Sequence, residues 1–354
     1  MSRGDGRRSR DAKMAAVGDA ETDVVLAAVG WRLSGAIAAV VDLDVASSLV
    51  DGPMTIADVA TKLAVDERGL RLLLRALVSE GIFELPEADV VAMNDAARVL
   101  LPEAAGGQRE VFLGWYSNPG LYLSMTALAN GIRSGRPAFE EGQGIGFFDW
   151  MAANPVHSDR YQAAVGGTDP QEFDGMLDLL DLSAHRVVAD IGGGRGGLLR
   201  GAVDRWTQLR GTLIELPDVA ASTAEVLAGA GYADRIDCVA ANCVEVVPAG
   251  ADVYVMTTVL RYFPDETART VLNNIRQALA EASAPRRLIL CEMPPEDGAP
   301  QSPSAVKSLL EYALTGGEDR TTDQLQQLLE ECGFTDVEHT HWDGPFWITS
   351  ATLA

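Results

Sequence analysis

The sequence predicts an α/β protein: a doubly wound parallel sheet in the C-terminal half, preceded by a mostly helical domain. Three observations carry the prediction. Residues 187–200, VVADIGGGRGGLLR, form a short apolar run that ends in Asp190, passes through Gly192, Gly193, Gly194 and Gly196, and restarts an apolar pattern at Leu198. That order reads as strand, tight glycine loop and helix. From Val187 onward the runs VVAD, GTLIEL, RIDCVA, DVYVMTTVL and RRLILCE alternate with helical stretches such as VAASTAEVLAGA and ETARTVLNNIRQALAEA, the pattern of strands joined by crossover helices. Glu215 stands 19 residues after Gly196, at the end of the second run, where an acid can accept hydrogen bonds from ribose hydroxyls.

Composition sets the outer limits. The 354 residues, 47% hydrophobic and 22% charged, are enough for two domains with ordinary globular cores. A net charge of −23, from 28 Lys plus Arg against 51 Asp plus Glu, disfavours nucleic acid and anionic membrane as partners. No apolar run reaches the roughly 18 residues of a spanning helix, and the opening MSRGDGRRSRDAKM lacks the apolar centre of a secretory signal, so a cytoplasmic location is expected. Cys238, Cys243, Cys291 and Cys332 have no metal-ligand spacing and read as buried free thiols, with no metal site.

Residues 1–20 are polar and aperiodic and read as a mobile leader. From about Thr22 to Val41 the apolar residues are too dense for one helical face, so this helix must be buried, against another subunit. TIADVATKL starts at a capping Thr55, a second helix over 67–79 carries Leu70, Leu73, Leu74 and Leu77 before Gly81 stops it, and FELPEADVVAMND reads as a hairpin. Helix, turn, helix and hairpin make a winged-helix domain over 21–102. DNA binding is its obvious use, but between Lys62 and Arg98 five basic residues stand against six acidic ones after the helix cap Asp66. Residues 103–180 read as helices connecting the two domains, with Trp115, Phe147, Phe148, Trp150 and Tyr161 among an aromatic concentration. Residues 181–354 hold the sheet; a capped helix, TTDQLQQLLEECG, ends at Gly333, and FTDVEHTHW and PFWITSATL supply the last two strands.

Ligands of such sheets bind at the carboxyl ends of the strands. The residues there are Asp190, Glu215, Asn242 with Cys243, and Thr257 to Arg261. Asp190 would repel a pyrophosphate and attract a cofactor that carries an amine and a sulfonium. The sign of its charge favours S-adenosylmethionine over a dinucleotide.

VVADIGGGRGG, GTLIELPDVA, PAGADVYVMTTVLRYFPDE, RRLILCEMPPED and LTGGEDRT, in that order, resemble the successive blocks of the S-adenosylmethionine-dependent small-molecule O-methyltransferases of plant phenylpropanoid and bacterial antibiotic pathways. The resemblance runs from about Asp23 onward. It implies a Rossmann-like methyltransferase sheet and an N-terminal winged-helix domain that forms a homodimer. It further implies that Asp190, Gly192, Gly193, Gly194 and Gly196 hold the methionine portion of the cofactor, that Glu215 holds the ribose, and that Leu216 lies against adenine. Asn242 stands where the family usually has an acid beside the adenine amine, and its amide oxygen can still accept that hydrogen bond. Thr257 replaces a common lysine. Trp115, Phe147, Phe148, Trp150 and Tyr161 fall in the segment that closes one wall of the family's acceptor pocket.

The pattern breaks at the base. The usual members carry a general-base histidine in a His-Asp-Trp run, and the corresponding residues here are Arg261, Tyr262 and Phe263. A guanidinium stays protonated and only donates. Among His157, His185, His339 and His341, His157 is kept as a candidate because it follows the aromatic segment. Glu292 and Asp319 match positions where the family places acids that orient the histidine, and a buried Glu292 could serve as the base. Three readings stay open: methylation, mostly by positioning, of an acceptor that is already ionised or carbon-nucleophilic while Arg261 pairs with an anionic group; ordinary O-methylation with another base; or loss of methyl transfer in favour of another reaction such as cyclisation or hydroxylation, with the cofactor a structural or electrostatic element. The acceptor in the first two is a small aromatic or amino-acid-derived secondary metabolite. A metabolite-sensing winged-helix regulator is disfavoured by the acidic surface.

Overall fold

In a computed structural model, which describes residues 19–102, 108–166, 169–282, 286–295 and 303–353, the chain divides into two compact units, one ending at Asn118 and one starting at Pro119. The expected leader lies outside the described residues as far as residue 18. The expected connector contributes to both units.

In the first unit a helix over Asp19–Val29 leads through Gly30 into α1 (Trp31–Asp42). After strand β1 (Met54–Thr55), α2 (Ile56–Leu63), α3 (Glu67–Ser79), β2 (Phe83–Glu87) and β3 (Val90–Met93) follow as the capping residues and apolar spacing predict. The Thr55 hydroxyl accepts from the Asp58 N–H at 3.1 Å and the Asp66 carboxylate from the Gly69 N–H at 2.6 Å, each occupying a donor that the first helical turn leaves open. Leu70, Leu74 and Leu77 are buried among Ile56, Val59, Phe83 and Val91. Strand β3 lies between β1 and β2, antiparallel to both.

The expectation about long apolar segments is corrected here. Val24–Asp42 is a 19-residue helical stretch of mean hydropathy 2.0, long and apolar enough to cross a membrane by length and composition. Arg32, Ser34 and Asp42 interrupt the run without lowering its average below that limit. Val40 and Val41 are buried in the first unit's own core, whereas Val24 is 69% and Trp31 65% exposed. Within one chain, then, the helix is buried only at its end.

The second unit is a seven-stranded sheet in the order β6-β5-β4-β7-β8-β10-β9. The strands are β4 (Val187–Ile191), β5 (Arg210–Glu215), β6 (Ile236–Ala240), β7 (Val253–Thr257), β8 (Arg287–Glu292), β9 (Thr335–His341) and β10 (Trp347–Thr352). Helices α4 (Ala138–Gln143), α5 (Phe147–Ala153) and α6 (Pro155–Val165) precede the sheet; α7 (Gly197–Arg205) follows β4, α8 (Pro217–Gly229) follows β5, α9 (Asp265–Ala280) follows β7, and α10 (Pro303–Thr315) and α11 (Thr322–Glu331) both lie between β8 and β9. Successive strand residues point to opposite layers. Ala189, Tyr254, Met256, Leu288 and Leu290 pack with α9 and α11, while Val188, Val253, Val255 and Ile289 pack with α7 and the helix Asp174–Leu179.

The sheet is mixed rather than wholly parallel. Strands β4 to β8 pair in parallel, but β10 runs antiparallel to both β8 and β9. Only residues 342–346 separate β9 from β10, and a parallel crossover needs a dozen residues or more. The chain therefore returns as a hairpin into the gap beside β8.

Candidate active site

The carboxyl edge of the sheet carries two adjoining arrangements. The first is the glycine loop after β4. Gly192 and Gly194 have φ of +71° and +55°, and a Cβ at either would lie 2.6 Å from a Val259 methyl or 2.7 Å from the Gly166 backbone, so both conformation and space require glycine. Glu215, ending β5, braces the loop: its carboxylate accepts from the Gly194 N–H at 3.0 Å and the Leu216 N–H at 2.9 Å. The Thr223 hydroxyl donates to the Gly194 carbonyl at 2.8 Å.

Asp190 is buried beside this loop, and its Oδ1 has no hydrogen-bond partner. Burial, reinforced by the nearby charge of Glu215, pushes its carboxyl up to about 7. A buried carboxylate is tolerable when a cation faces it. An orphaned acid oxygen, a cradle that no side chain may fill and a second acid at the next strand tip together fit a nucleoside carrying a positive group. Leu216 and Thr257 are half-buried at the ends of β5 and β7. On the loop after β6, the Asn242 amide oxygen accepts from the Val244 N–H at 3.1 Å, and the neighbouring Cys243 carbonyl accepts from the Asn274 amide at 3.0 Å.

The second arrangement is a buried cluster of charges. Arg261, in a short 3-10 turn after β7, is 2% exposed. Its guanidinium lies 2.5 Å from Asp319 Oδ1 and 3.4 Å from Glu311 Oε1. The pairing with an anionic acceptor expected of Arg261 is thus met by two carboxylates of the chain itself. Asp319 also accepts from the Ser308 hydroxyl, and Glu292 Oε1 accepts from the Leu260 N–H at 3.0 Å. Burial pushes Glu292 and Glu311 up to about 7, against the pull of Arg261. Arg320 donates to the carbonyls of Leu260 and Phe263 and to Asp265, so it fixes the turn that carries Arg261. Gly317 allows the loop to approach: a Cβ there would lie 2.6 Å from the Tyr262 carbonyl carbon.

The aromatic residues separate by position. Trp115 lies in the first unit, in the π-helical turn Phe112–Tyr116. Phe147 and Tyr161 are buried, and Phe148 and Trp150 keep part of their surface. The Tyr161 and Tyr262 hydroxyls hydrogen-bond at 2.6 Å, and Phe148 meets the Tyr262 ring edge-on with centroids 5.5 Å apart. Burial raises the Tyr161 hydroxyl, which feels Glu311 and Arg261 as well as Glu215, so this tyrosine stands between the cradle and the charge cluster.

His157 stacks on Trp150 with centroids 5.8 Å apart. His185 is buried near Asp252 at the amino end of β4, and His339 and His341 bond Thr349 Oγ1 and the Gly344 carbonyl from strand β9. His185 is thus at the opposite edge, whereas His341, opposite Trp347 as Glu292 is on the other side of β10, stands at the carboxyl edge two strands beyond β8, with His339 two residues deeper on the same strand. The four cysteines are free, and the described residues contain no cluster suited to a metal ion.

Four features of this edge escaped the sequence: Glu311, Lys307, Arg320 and the left-handed Thr258, whose φ of +56° is rare for a β-branched residue. The first two had a legible signal, an acid and a lysine at i, i+4 spacing within an otherwise apolar helix. The last had none, because the partner of its N–H, the Cys291 carbonyl of β8 at 2.7 Å, lies far along the chain.

Comparison with known proteins places these features. Residues 26–103 match the O-methyltransferase dimerisation domain and residues 125–335 the O-methyltransferase domain. The chain is 31% identical, over 304 residues that cover 86% of it and 85% of the relative, to the mitomycin biosynthesis 6-O-methyltransferase of Streptomyces lavendulae. Its structure is similar to that of mitomycin 7-O-methyltransferase MmcR, with a TM-score of 0.86, 30% identity and coverage of 97% and 100% of the two chains. It is also similar to NcsB1, an O-methyltransferase from neocarzinostatin biosynthesis solved with S-adenosylmethionine and 2-hydroxy-5-methyl naphthoic acid; the TM-score is 0.78, the identity 25%, and the coverage 91% and 96%.

Arg261→Met should lower stability by about 3–5 kcal/mol, the cost of leaving buried partners uncompensated, and Gly317→Ala by about 1–3 kcal/mol through overpacking. Chemical denaturation checks both; a loss below about 1 kcal/mol for Arg261→Met would contradict the ion cluster. Asp190, Glu292 and Glu311 hold protons up to about pH 7 when folded and only to about 4 when unfolded. Between those values the folded state binds more protons, so the stability they confer at low pH is lost as pH rises towards and through 7. Asp190→Asn, Glu292→Gln and Glu311→Gln, combined, should flatten the slope of unfolding free energy between pH 5 and 7.5.

Proposed function

The chain belongs to the S-adenosylmethionine-dependent O-methyltransferase family, and from that membership we propose that it methylates a small aromatic secondary metabolite of the antibiotic-pathway kind. The observation that carries the reading is the orphaned, buried Asp190 oxygen against the glycine cradle. Asp190 and the loop over 192–196 hold the cationic methionine end of the cofactor, and Glu215, Leu216 and the Asn242–Cys243 loop hold the nucleoside end. When bound, the cofactor supplies an electrophilic methyl group at its sulfonium.

The chain's own residues do the rest. Phe148 and Trp150, the partly exposed members of the aromatic group, offer flat apolar surface to an aromatic acceptor. Tyr161 and Tyr262 tie α6 to the turn that carries Arg261, which fixes the distance between the cradle and the acceptor side. Catalysis by positioning is worth several kcal/mol when the reacting atoms are held in line. An O-methyltransferase of mitomycin biosynthesis among the relatives and the 2-hydroxy-5-methyl naphthoic acid bound in NcsB1 support an aromatic hydroxyl as the acceptor group.

In the same reading the first unit is a winged-helix dimerisation domain. The match to the family's dimerisation domain and the exposed Val24, Val25, Leu26 and Trp31 support it, since an apolar helix of this length needs cover that one chain does not give.

Two measurements check this. Titration calorimetry should show S-adenosylmethionine binding more tightly as pH rises from 6 to 8, because Asp190 must lose its proton to face the cation. Asp190→Asn should weaken binding about 10- to 100-fold, the range of a charged hydrogen bond, and abolish the pH dependence; unchanged affinity in the variant would sink the assignment. Light scattering should report a dimer for the wild type, and Leu26→Glu with Trp31→Glu should shift it to monomer while leaving the far-ultraviolet circular dichroism unchanged. A monomeric wild type would end the dimer reading.

A further inference from the structure

The charge cluster contains one further member, a lysine with no ion-pair partner among the described residues. Lys307, on α10, is half-buried, with its Nζ 3.4 Å from Met293 Sδ. Met293 directly follows Glu292, so the amine sits at the carboxyl end of β8, on the edge where ligands of such sheets lie. No carboxylate among the described residues comes within ion-pairing distance of it. The charged groups around it come from every neighbouring element: Glu311 one turn along its own helix, Arg261 from the turn after β7, Glu292 from β8, and Asp319 from the loop before α11. A thioether is a weak partner for an ammonium.

Exposure separates these groups. Arg261, Glu311 and Asp319 have side chains no more than 2% exposed, and Glu292 is buried with one oxygen bound to backbone. Lys307 is the half-buried member of an otherwise buried cluster. A residue that takes a proton from an acceptor must be free to meet it; Glu311 and Asp319 are engaged with Arg261 and one Glu292 oxygen with the Leu260 N–H, whereas the Lys307 amine has only a thioether beside it.

We propose that Lys307 is the general base of this enzyme, accepting the proton of the acceptor hydroxyl through its neutral amine. The proposal rests on the methyl-transfer reading given above. The acceptor O–H bond breaks as an N–H bond forms on Nζ. The oxygen keeps the electron pair with which it takes the methyl group of the sulfonium donor, whose sulfur leaves with the pair of the broken C–S bond. The amine becomes an ammonium and returns the proton to solvent after the product departs.

Arg261 then acquires a role that its own chemistry denies it. It cannot accept a proton, but a fixed positive charge beside a desolvated lysine favours the neutral amine. Burial and Arg261, in that order, bring the Lys307 ammonium down to about 8, against the opposing pull of Glu311, Asp319 and Glu292. Arg261 is in this sense a positioning residue, held by Asp319 and Glu311 so that its charge cannot turn away.

The test reads the amine itself as well as turnover. In the wild-type protein, trace labelling with acetic anhydride across pH, followed by mass spectrometry of the peptide containing Lys307, should give half-maximal reactivity near pH 8, whereas an ordinary lysine gives about 10.4. Lys307→Met and Lys307→Arg should bind S-adenosylmethionine within about twofold of wild type by calorimetry. At pH 7.5 both should lose about 100-fold in single-turnover methylation of phenols that are protonated at that pH, within the range of general-base catalysis. Nitrophenols already ionised at that pH should lose less than about threefold. Equal losses for the two acceptor classes, or a Lys307 that titrates near 10, would overturn the proposal while leaving methyl transfer intact. A wild type that binds the cofactor and methylates no phenol of either class would overturn the methyl-transfer reading, and the proposal with it.

Discussion

Arg261 keeps its charge in a place where water cannot reach it, and the carboxyl edge of the sheet is built around that constraint. Burying a guanidinium costs several kcal/mol unless carboxylates replace its hydration. Asp319 at 2.5 Å and Glu311 at 3.4 Å supply that replacement, and they come from different elements, the loop before α11 and the middle of α10. The ion cluster therefore fixes two separate parts of the chain relative to the end of β7. Gly317 permits the loop to come close enough, and Arg320 closes the same turn by binding the carbonyls of Leu260 and Phe263. Each is explained by the need to hold one positive charge still.

The cradle beside β4 solves the opposite problem. There the buried charge is negative, and the chain leaves Asp190 Oδ1 without a partner. An uncompensated acid raises its own pKa, and the energy held in that mismatch becomes available to a cation that enters. An ion-paired cluster that gives rigidity thus stands beside an acid without an ion-pair partner that gives affinity. Tyr161, bonded to Tyr262 and within the field of both Glu215 and Glu311, joins the two. A site with this division can bind a cationic cofactor on one side and keep the acceptor side dry and preorganised.

Much of this was legible beforehand. The glycine loop, the spaced acid and the alternation of runs located β4, β5, β7 and β8 and their helices, because those signals are local: a glycine required by positive φ, an apolar run of strand length, a cap before a helix. The caps at Thr55, Asp66 and Thr321 are of this kind. Two readings moved when distance along the chain mattered. The sheet proved mixed because β10 inserts between β8 and β9, a pairing set by the short connection and not by either strand's pattern. The apolar N-terminal helix proved buried at Val40 and Val41 yet exposed at Val24 and Trp31, since composition gives the need for cover without saying where in the molecule it is met.

The sequence by itself determined the order of the elements, the cofactor cradle and the family to which the chain belongs, because each is written in contiguous residues whose conformational needs are their own. It also showed that an arginine stands where a proton acceptor would be expected. Only the tertiary structure decided what that arginine does. Its partners Asp319 and Glu311, and the lysine that shares its field, lie some 45 to 60 positions away, and electrostatic energy depends on separation in space and on exclusion of water, neither of which a linear string of residues records.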